Sequence, residues 1–386
     1  MTGEAFAAAL RRLSPDAEIV VVEQELVGGE CSYWACIPSK TLLRPLEVLA
    51  RARHAPGAAE AVSRVDAARV FQWRDEMAGK DDTSQVEWLT NQGAELVRGT
   101  GVVAEPGLVR VNGRELPYDH LLVATGSLPV DPPVAGLAES NRWGSREATS
   151  ASAVPESVAV VGGGAVGCEL AQLYARLGAR VTLVQNGPHL LPRNDPEAGA
   201  MLAEAFEAEG IELRLGATAT RVEGGGDSSF RLELEGVWAA GDVTGVALFT
   251  HVGKYQGRIA AANVAGGDAR ADYRAIPAAV FTDPQVASVG NTSGEGAVTS
   301  SWKIESVSRT GTFQQPKQPG ILKLYADPER RVLVGATAVG PEAGEWIGQL
   351  TLAVRAQVSV DVLRDTIQPF PTFSEAVYFA ARDLEL

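Results

Sequence analysis

The sequence reads VAVVGGGAVGCELAQLYARLGARVTLV from Val158 to Val184, and this stretch decides the fold. It predicts a strand, a glycine-rich turn, a helix and a second strand. Gly162, Gly164 and Gly167 have the spacing G-x-G-x-x-G, in which glycines let the backbone approach a pyrophosphate at the helix N-terminus. The glycine pattern alone is weak evidence, but its position between a strand and a helix predicts a dinucleotide-binding unit.

The residues after the second strand bear on the choice of nicotinamide cofactor. A carboxylate at this point binds the ribose 2'-hydroxyl of NAD and repels the 2'-phosphate of NADP. Here the strand is followed by Gln185 and Asn186, so the sequence permits NADPH without selecting it. Gln185 is the candidate cofactor contact. His189 and Arg193 are the nearest cationic candidates, and simple solvation is the alternative role for both.

A second stretch, from Gly28 to Lys40, reads GGECSYWACIPSK and contains Cys31 and Cys36. Five residues of regular helix separate two Cα atoms by roughly 7.5 Å along the axis, whereas a disulfide needs about 4.4 to 6.8 Å. The pair can therefore close only across an irregular backbone. Pro38 favours a helix that begins at or just after Cys36, where unpaired amides and the helix dipole stabilise a thiolate.

The alternative for this pair is two buried free cysteines. The two glycines before the pair and the Pro-Ser-Lys sequence after it favour a redox-active pair instead. The third cysteine, Cys168, follows the glycine turn on the predicted helix, and we interpret it as a packing residue.

The composition is that of a globular chain long enough for two or three domains. It has 386 residues, of which 45% are apolar and 21% charged, and a net charge of −14. This acidity argues against nucleic acid and anionic membranes as partners. Three cysteines do not make a secreted disulfide scaffold, so we expect a reducing, cytoplasmic compartment. We find neither a leader nor a long apolar run, and we predict no metal site.

The N-terminal segment predicts the second half of another dinucleotide-binding unit. Residues 1–13 have the pattern of an amphipathic helix, and residues 18–23 (EIVVVE) that of a buried strand ending in an acid, Glu23. Gly3 is then the last glycine of a phosphate-binding loop, and Glu23 is placed to bind a ribose hydroxyl. A surface helix followed by an unrelated strand is the alternative for this segment taken alone.

The middle of the chain has a mixed pattern. Helical periodicity over 38–96 is followed by short strands over 96–117. Residues 120–126 (HLLVATG) have the pattern of a buried strand running into a small-residue turn, and 127–156 that of a proline-rich crossing into another domain. After residue 236 an apolar strand ends in a Gly-Asp turn at Asp242, where a carboxylate can accept a hydrogen bond from a ligand hydroxyl.

The C-terminal part, from Ala275 onward, predicts an α+β domain because β-like runs alternate with helical ones. The predicted strands are 302–307, 321–325 and 332–339, and the predicted helices are 343–355 and 359–366.

Six motifs follow one another along nearly the whole chain: GGECSYWACIPSK, LLVATG, VGGGAVGCELA, VWAAGDVTG, VFTDPQVASVG and PFPTFSE. In this order they resemble the flavin-dependent pyridine nucleotide-disulfide oxidoreductases, the family of dihydrolipoamide dehydrogenase, glutathione reductase and mercuric reductase. The resemblance implies an α/β fold with two Rossmann-like domains, for FAD and NAD(P), and a C-terminal α+β dimerisation domain. It assigns 1–150 and 236–270 to the FAD domain, 151–235 to the NAD(P) domain and 271–386 to the dimerisation domain.

The resemblance also implies a mechanism in which NAD(P)H reduces FAD, and FAD reduces a disulfide between Cys31 and Cys36. Cys36 is then the thiol beside the flavin, and Cys31 is the interchange thiol that attacks the acceptor. Lys40 and Glu169 are implied to form an ion pair near the flavin N5. The residues implied to hold FAD are Gly3, Glu23, Gly29, Thr125, Gly126 and Asp242. Those implied to hold NAD(P) are Gly162, Gly164, Gly167 and Gln185. The family pattern also implies a homodimer.

Three features depart from the family pattern. Disulfide-reducing members have a histidine before Pro-Thr, paired with a downstream glutamate as general acid and base. Here that position is Phe370, whereas Glu375 is retained. Phenylalanine cannot transfer a proton. The first strand and glycine loop of the FAD domain are also missing, as is a segment between Glu235 and Val237.

We therefore hypothesise an FAD-dependent NAD(P)H oxidoreductase that uses the Cys31–Cys36 disulfide to reduce a small-molecule acceptor: a disulfide, a quinone or a metal ion. One alternative is a shortened, non-catalytic family member that binds dinucleotide and dimerises. Another is a flavin NAD(P)H:quinone reductase in which the cysteines are idle.

Overall fold

The computed structural model describes residues 1–61, 64–129, 134, 137, 142–219, 237–313 and 319–386, with the backbone alone for 237 and 238. The chain forms two compact units, each assembled from separate segments. Unit 1 comprises Met1–Pro38, Arg74–Ser150 and Val222–Ala271, and unit 2 comprises Ser39–Trp73, Ala151–Arg221 and Asp272–Leu386. The three-domain division drawn from the family pattern stays a prediction.

The helices, in chain order, are α1 Thr2–Leu13, α2 Gly29–Tyr33, α3 Cys36–Arg53, α4 Ala67–Met77, α5 Thr83–Asn91, α6 Ser145–Ser150, α7 Ala165–Leu177, α8 Pro196–Ala208, α9 Thr250–Val264, α10 Ser308–Phe313, α11 Ala343–Arg355, α12 Val360–Asp365 and α13 Glu375–Arg382. The strands are β1 Ile19–Glu23, β2 Ala94–Arg98, β3 Gly101–Glu105, β4 Leu108–Val111, β5 Arg114–Pro117, β6 Leu121–Val123, β7 Ser157–Val161, β8 Arg180–Gln185, β9 Glu212–Leu215, β10 Val237–Ala239, β11 Pro277–Val280, β12 Gln285–Gly290, β13 Val298–Lys303, β14 Ile321–Asp327 and β15 Val332–Gly340.

Unit 1 contains two short parallel sheets and an antiparallel meander. Strand β1 pairs with β2 and β6 with β10, both in parallel, and β3, β4 and β5 form the meander. Among the described residues, β1 has no second partner strand and neither does β6. These parallel pairs join segments that are far apart in the sequence, as parallel strands always require a crossover.

Helices α1 and α9 of unit 1 pack closely because α9 carries glycines where they meet. A Cβ on Gly253 would lie 2.3 Å from the Thr2 Oγ1, and one on Gly257 would lie 2.8 Å from the Thr2 carbonyl oxygen. The apolar face of α1 buries Ala7 and Leu10 in the same core as β1 and β2. Side chains larger than glycine at either position would separate the two helices.

Unit 2 contains two sheets of different kinds. Strands β7, β8 and β9 form a parallel sheet with α7 between β7 and β8, which is the predicted strand–glycine turn–helix–strand unit. The C-terminal part is a five-stranded antiparallel sheet in the order β11-β12-β15-β14-β13, and it shares a core with α11 and α13. This part is the predicted α+β domain.

Most of the predicted elements are confirmed, and two predictions are wrong. The strand predicted over 302–307 lies instead at Val298–Lys303, where it pairs with β14, and is followed by a single 3-10 turn. Its half-buried face includes Ser300, whose hydroxyl donates to the carbonyl of Ala380, so the strand carries little apolar pattern. Within 120–126 the predicted strand is present as β6, Leu121–Val123, before the small residues that follow, but it is half-buried where the sequence predicts a buried strand. The segment before Val237, including the predicted chain shortening, lies outside the described residues.

Candidate active site

The backbone between Cys31 and Cys36 is broken into two helices. Cys31 lies on α2, whereas Cys36 is the first residue of α3. The amides of Trp34 and Ala35 both donate to the carbonyl of Glu30, at 2.9 and 2.8 Å, which ends α2. The irregular backbone that the spacing demanded is therefore present, and the helix start predicted at Cys36 is confirmed.

Pro38 explains why α2 and α3 do not form one continuous helix. In a continuous helix the residue-38 amide would donate to the carbonyl of Trp34, but proline has no N–H. That carbonyl instead accepts a hydrogen bond from the hydroxyl of Thr149, at 2.8 Å, in a buried position. The guanidinium of Arg146 lies 3.9 Å from the centre of the Trp34 ring and pairs with Glu30. Side chains of α6 thus hold the break in place.

The two cysteines are thiols in this structure and not a disulfide. The pKa of the Cys31 thiol is raised above its ordinary value, first by a hydrogen bond with Cys36 and then by burial, while Thr250 and Lys254 act in the opposite direction. A hydrogen bond that raises a thiol pKa is one that the protonated thiol donates. Cys36 Sγ also lies 3.5 Å from Thr250 Oγ1, at the start of α9. Cys31 therefore keeps its proton and donates a hydrogen bond to the sulfur of Cys36.

Cys168 is fully buried, and its Sγ donates to the carbonyl of Gly163 at 3.4 Å. Burial, followed by the charge of Glu169, raises the pKa of Cys168 to about 12. A thiol in such surroundings is inert, which agrees with the packing role inferred from the sequence.

Lys40 and Glu169 form an ion pair in unit 2. Lys40 Nζ lies 2.7 Å from Glu169 Oε2, and the second carboxylate oxygen accepts from the amide of Phe281 at 3.1 Å. The ammonium also lies 4.8 Å from the centre of the Phe281 ring. Glu169 is buried, so both of its oxygens are satisfied where an unpaired carboxylate would be costly.

The ends of β6 and β10 bring several of the candidate FAD residues together. These strands are parallel neighbours, and Thr125, Gly126 and Asp242 follow their carboxyl ends. The Ser127 hydroxyl donates to Asp242 Oδ2 at 2.9 Å. Polar groups at the carboxyl ends of parallel strands form the usual ligand edge of an α/β sheet.

The other candidate FAD residues lie elsewhere in unit 1. Glu23 ends β1, and its carboxylate accepts from the amide of Glu25 at 2.8 Å. Gly29 begins α2 with a φ of +63°, which favours glycine, and Gly3 lies in the first turn of α1. A Cβ on either glycine would meet open space. At Gly126, Gly29 and Gly3 the backbone is thus open to a ligand, which is compatible with FAD.

The glycine turn before α7 has the shape of a phosphate cradle. Gly162 has a φ of +109°, and a Cβ on Gly162 or on Gly164 would find no atom within 4 Å. A Cβ on Gly167 would instead lie 1.9 Å from the Gly162 carbonyl oxygen. The first two glycines leave space at the helix N-terminus and the third permits close packing, so these residues fit a dinucleotide pyrophosphate.

Gln185 is directed toward this glycine turn. Its side chain is buried, and its Oε1 accepts from the amide of Gly163 at 2.9 Å. His189 Nδ1 lies 2.8 Å from the carbonyl oxygen of Leu190. Arg193 is exposed, and no carboxylate pairs with it in the described part of the chain. Gln185 thus holds the glycine turn in place through its hydrogen bond to Gly163. Gln185 is buried and His189 half-buried, whereas Arg193 is exposed to solvent.

Phe370 and Glu375 lie near the C-terminus in unit 2. Phe370 is 74% exposed and Ile367 is 93% exposed. Glu375 is the first residue of α13, and its carboxylate accepts from the amide of Thr372 at 3.4 Å. In the family pattern this glutamate pairs with a histidine, whereas here Glu375 bonds to the backbone of the loop that precedes its own helix.

Two features that are absent from the described residues bear on other functions. No group of three or more His, Cys, Asp or Glu side chains is arranged to hold a metal ion within those residues. None of the helices found there is long and apolar enough to cross a bilayer.

Sequence reasoning missed Thr149, Thr250 and Lys254. Thr149 lies on α6, within the proline-rich stretch over 127–156 for which the sequence predicts no helix. Thr250 and Lys254 lie on α9, which follows the Gly-Asp turn. The only signal for α9 was its apolar periodicity, and nothing in that pattern connects it with residues 31 and 36.

Comparisons with known proteins agree with these motifs. Residues 1–235 match the family described as pyridine nucleotide-disulphide oxidoreductase, and residues 276–381 match the dimerisation domain of that family. A mercuric reductase of Acidithiobacillus ferrooxidans is 31% identical over 445 residues, covering 98% of this chain and 80% of that protein. A dihydrolipoyl dehydrogenase of Thermus scotoductus is 30% identical over 441 residues, covering 98% and 95%.

Those alignments are longer than the 386 residues of the chain, so these relatives contain residues without a counterpart here. Among solved structures, LpdA from Mycobacterium tuberculosis superposes with a TM-score of 0.85 at 23% identity, covering 99% of this chain and 97% of that chain. The HOCl-induced flavoprotein disulfide reductase RclA from Escherichia coli superposes with a TM-score of 0.83 at 20% identity, covering 99% and 98%. At these identities the likeness concerns the fold, and the predicted fold class is confirmed.

Replacing Thr149 by valine tests how the helix break is held. Valine has nearly the same shape but cannot donate to the buried Trp34 carbonyl, so we expect Thr149→Val to destabilise unit 1 by about 1–3 kcal/mol. Thr90→Val is the matched control, because the Thr90 hydroxyl bonds a carbonyl of its own helix at the exposed surface. Urea unfolding should separate the two variants, and equal stabilities would contradict the assigned role of Thr149.

A pair of glycine variants tests the phosphate cradle. Gly164→Ala places a methyl group in open space at a φ of −77° that alanine tolerates, so stability should fall by less than about 1 kcal/mol. The dissociation constant of NAD(P)H should rise at least about tenfold, because the methyl group fills the pyrophosphate space.

Gly167→Ala should behave differently, since its Cβ overlaps the Gly162 carbonyl and destabilises the fold by about 1–3 kcal/mol. Fluorescence titration and thermal unfolding measure both properties. Unchanged binding by Gly164→Ala would exclude this turn as the cradle.

Proposed function

Since the chain belongs to the pyridine nucleotide-disulphide oxidoreductase family, whose members are FAD-dependent and use NAD(P)H, we propose that it carries electrons from NAD(P)H to an acceptor through Cys31 and Cys36. The observation that carries the proposal is the contact between these two thiols across the break between α2 and α3. Thiols in contact can form and lose a disulfide without a large movement of the backbone.

The cofactors have candidate residues of their own. FAD, when bound, accepts a hydride from NAD(P)H and supplies two electrons to sulfur. Gly162, Gly164 and Gly167 hold the nicotinamide dinucleotide by the open cradle at the start of α7. Asp242 would accept a hydrogen bond from an FAD hydroxyl at the edge that also carries Thr125 and Gly126. Glu23, Gly3 and Gly29 would hold other parts of FAD, and the backbone is open at Gly3, Gly29 and Gly126. The Lys40–Glu169 ion pair holds the buried Glu169 carboxylate in one place.

Phe370 guides which acceptors should be tested first. A side chain that cannot transfer a proton gives no help to the leaving thiolate of an ordinary disulfide substrate. Soft metal ions bind directly to two thiolates, and quinones can take electrons without that proton. The identity of about 30% with mercuric reductases supports a metal ion as the first acceptor to test. Quinones and disulfides are the other acceptors to test.

A homodimer is part of the proposal. Residues 276–381 match a dimerisation domain, and the exposed apolar side chains of Ile367 and Phe370 lie within it. Large apolar side chains that are this exposed commonly mark an interface. In the family pattern Glu375 acts near the thiols of the other subunit, and we propose the same for this chain.

The two alternatives make different predictions about the thiols. A non-catalytic family member would bind NAD(P)H without turnover of any acceptor. A quinone reductase with idle cysteines would keep its full activity after Cys31→Ser.

Thiol counting after reduction tests the proposal. The purified protein should be yellow, and anaerobic NADPH or NADH should raise the number of titratable thiols by two as the Cys31–Cys36 disulfide opens. Cys168 should stay unreactive, because burial raises its pKa to about 12. Cys36→Ser should abolish the increase.

Cys31→Ser separates the alternatives, since under the proposal it should lose reduction of the acceptor, whereas a quinone reductase with idle cysteines should keep its full quinone-reducing activity. A colourless protein that takes up no added FAD, or a thiol count that NAD(P)H does not change, would contradict the proposal.

Gln185→Glu tests the choice of nicotinamide cofactor. Glutamate has the same shape and can still accept from the Gly163 amide, but its negative charge at the end of β8 repels a ribose 2'-phosphate. The ratio of kcat/KM for NADPH to that for NADH should fall at least about fivefold, which is about 1 kcal/mol. Gln185→Leu is the control, because it loses the hydrogen bond without adding charge and should affect both cofactors alike. Equal losses by the two variants would refute a role in cofactor selection.

A further inference from the structure

The first turns of α9 face the thiols of unit 1. Thr250 begins the helix, and its Oγ1 lies 3.5 Å from Cys36 Sγ. Lys254 lies four residues further on and therefore on the same face, one turn away. Helical side chains point back toward the N-terminus of their helix, so the stem of Lys254 extends toward the turn that carries Thr250.

Lys254 differs from the ion-paired lysines of the protein. Lys40 pairs with Glu169 and Lys323 pairs with Asp195. Lys254 is half-buried, yet no carboxylate or other hydrogen-bonding partner of its ammonium is found within the described segments. A half-buried cation without a counter-charge does not gain stability from its position. We therefore look for the reason for the position of Lys254 in the neighbouring group that its charge affects.

That group is the Cys31 thiol. Its hydrogen bond to Cys36 and its burial both raise its pKa, and they are opposed by a hydrogen bond from Thr250 and by the positive charge of Lys254. Of these neighbours, only Lys254 carries a positive charge. The two influences that favour the Cys31 thiolate thus come from one face of α9.

We propose that Lys254 is a positioning residue that stabilises the thiolate of Cys31, the task for which Phe370 offers no acid or base. The inference rests on the proposed function, in which Cys31 is the thiol that meets the acceptor. When Cys31 ionises, its S–H bond breaks, the proton passes to solvent water and the electron pair stays on sulfur. No oxidation occurs at this step. Lys254 thus favours the thiolate of Cys31, which is the form that attacks the acceptor.

Alkylation of Cys31 by two reagents of different charge tests the proposal without NAD(P)H or any acceptor. The full chain with bound FAD is reduced chemically, and alkylation of Cys31 by iodoacetamide and by iodoacetate is followed by peptide-resolved mass spectrometry. The neutral reagent reports the thiolate fraction, and the ratio of anionic to neutral rates reports a nearby positive charge. Lys254→Met should slow iodoacetamide at least about threefold and should also lower that ratio.

Matched variants separate charge from packing. Lys254→Arg should keep both rates within about twofold of the original, since it restores the cation. Arg258→Met removes an exposed cation one turn further along α9 and should change neither rate. Rates for Lys254→Met equal to those of the unmodified chain would overturn the proposal.

Two further measurements cover the case in which Lys254→Met does not fold. Lys254→Gln is the second variant and should have the same effect. In the unmodified chain the iodoacetate to iodoacetamide ratio should fall between about 0.02 and 0.5 M salt, because salt screens the charge. An unchanged ratio would also overturn the proposal. Failure of NAD(P)H to open the disulfide would contradict the proposed function but not the role of Lys254, because the alkylation assay requires neither NAD(P)H nor an acceptor.

Discussion

The missing amide hydrogen of Pro38 is the constraint on which the candidate site depends. It leaves the carbonyl of Trp34 without a partner in the helix and so ends the hydrogen-bond ladder between the two cysteines. Without that interruption, Cys31 and Cys36 would point to different sides of a single helix. The Thr149 hydroxyl makes the interruption stable by bonding the same carbonyl in a buried position. One covalent feature of the sequence thus decides whether two thiols can react with each other.

The charged groups of the two units are arranged for different purposes. In unit 2 the carboxylate of Glu169 is buried but fully bonded, by Lys40 and by the amide of Phe281. Such a group is held in one place and changes little when its surroundings change. Around Cys31 the influences are opposed, because the hydrogen bond with Cys36 and burial favour the neutral thiol, while Thr250 and Lys254 favour the anion. The first two influences prevail and raise the pKa of Cys31, so ionisation of this thiol depends on the neighbours that favour the anion.

The sequence was informative where structure is local and poor where it is not. The glycine turn, its strand and its helix are encoded within one continuous stretch, and the break at Cys36 follows from a proline two residues later. The orientation of Gln185 toward Gly163 could not be foreseen, because a carboxamide at the end of a strand can turn either way. The contact of Thr250 with Cys36 joins residues that only the folded chain brings together. Likewise, the error at 302–307 arose because residues of β13 are fixed by pairing with β14 and carry little apolar pattern of their own.

The sheets of unit 1 have a consequence for how the chain is made. Strand β1 can pair only after β2 has been synthesised, and β6 at residue 121 only after β10 at residue 237. The first two segments of unit 2 are synthesised in between, one within each interval. Contacts between such distant segments form slowly, since a long loop must close before they are gained. On the ribosome, the nascent chain therefore carries the unpaired edge of β6 until the end of unit 1 has emerged. During that interval an open strand edge is available to other chains, so assembly of the protein in a cell should benefit from a chaperone that covers it.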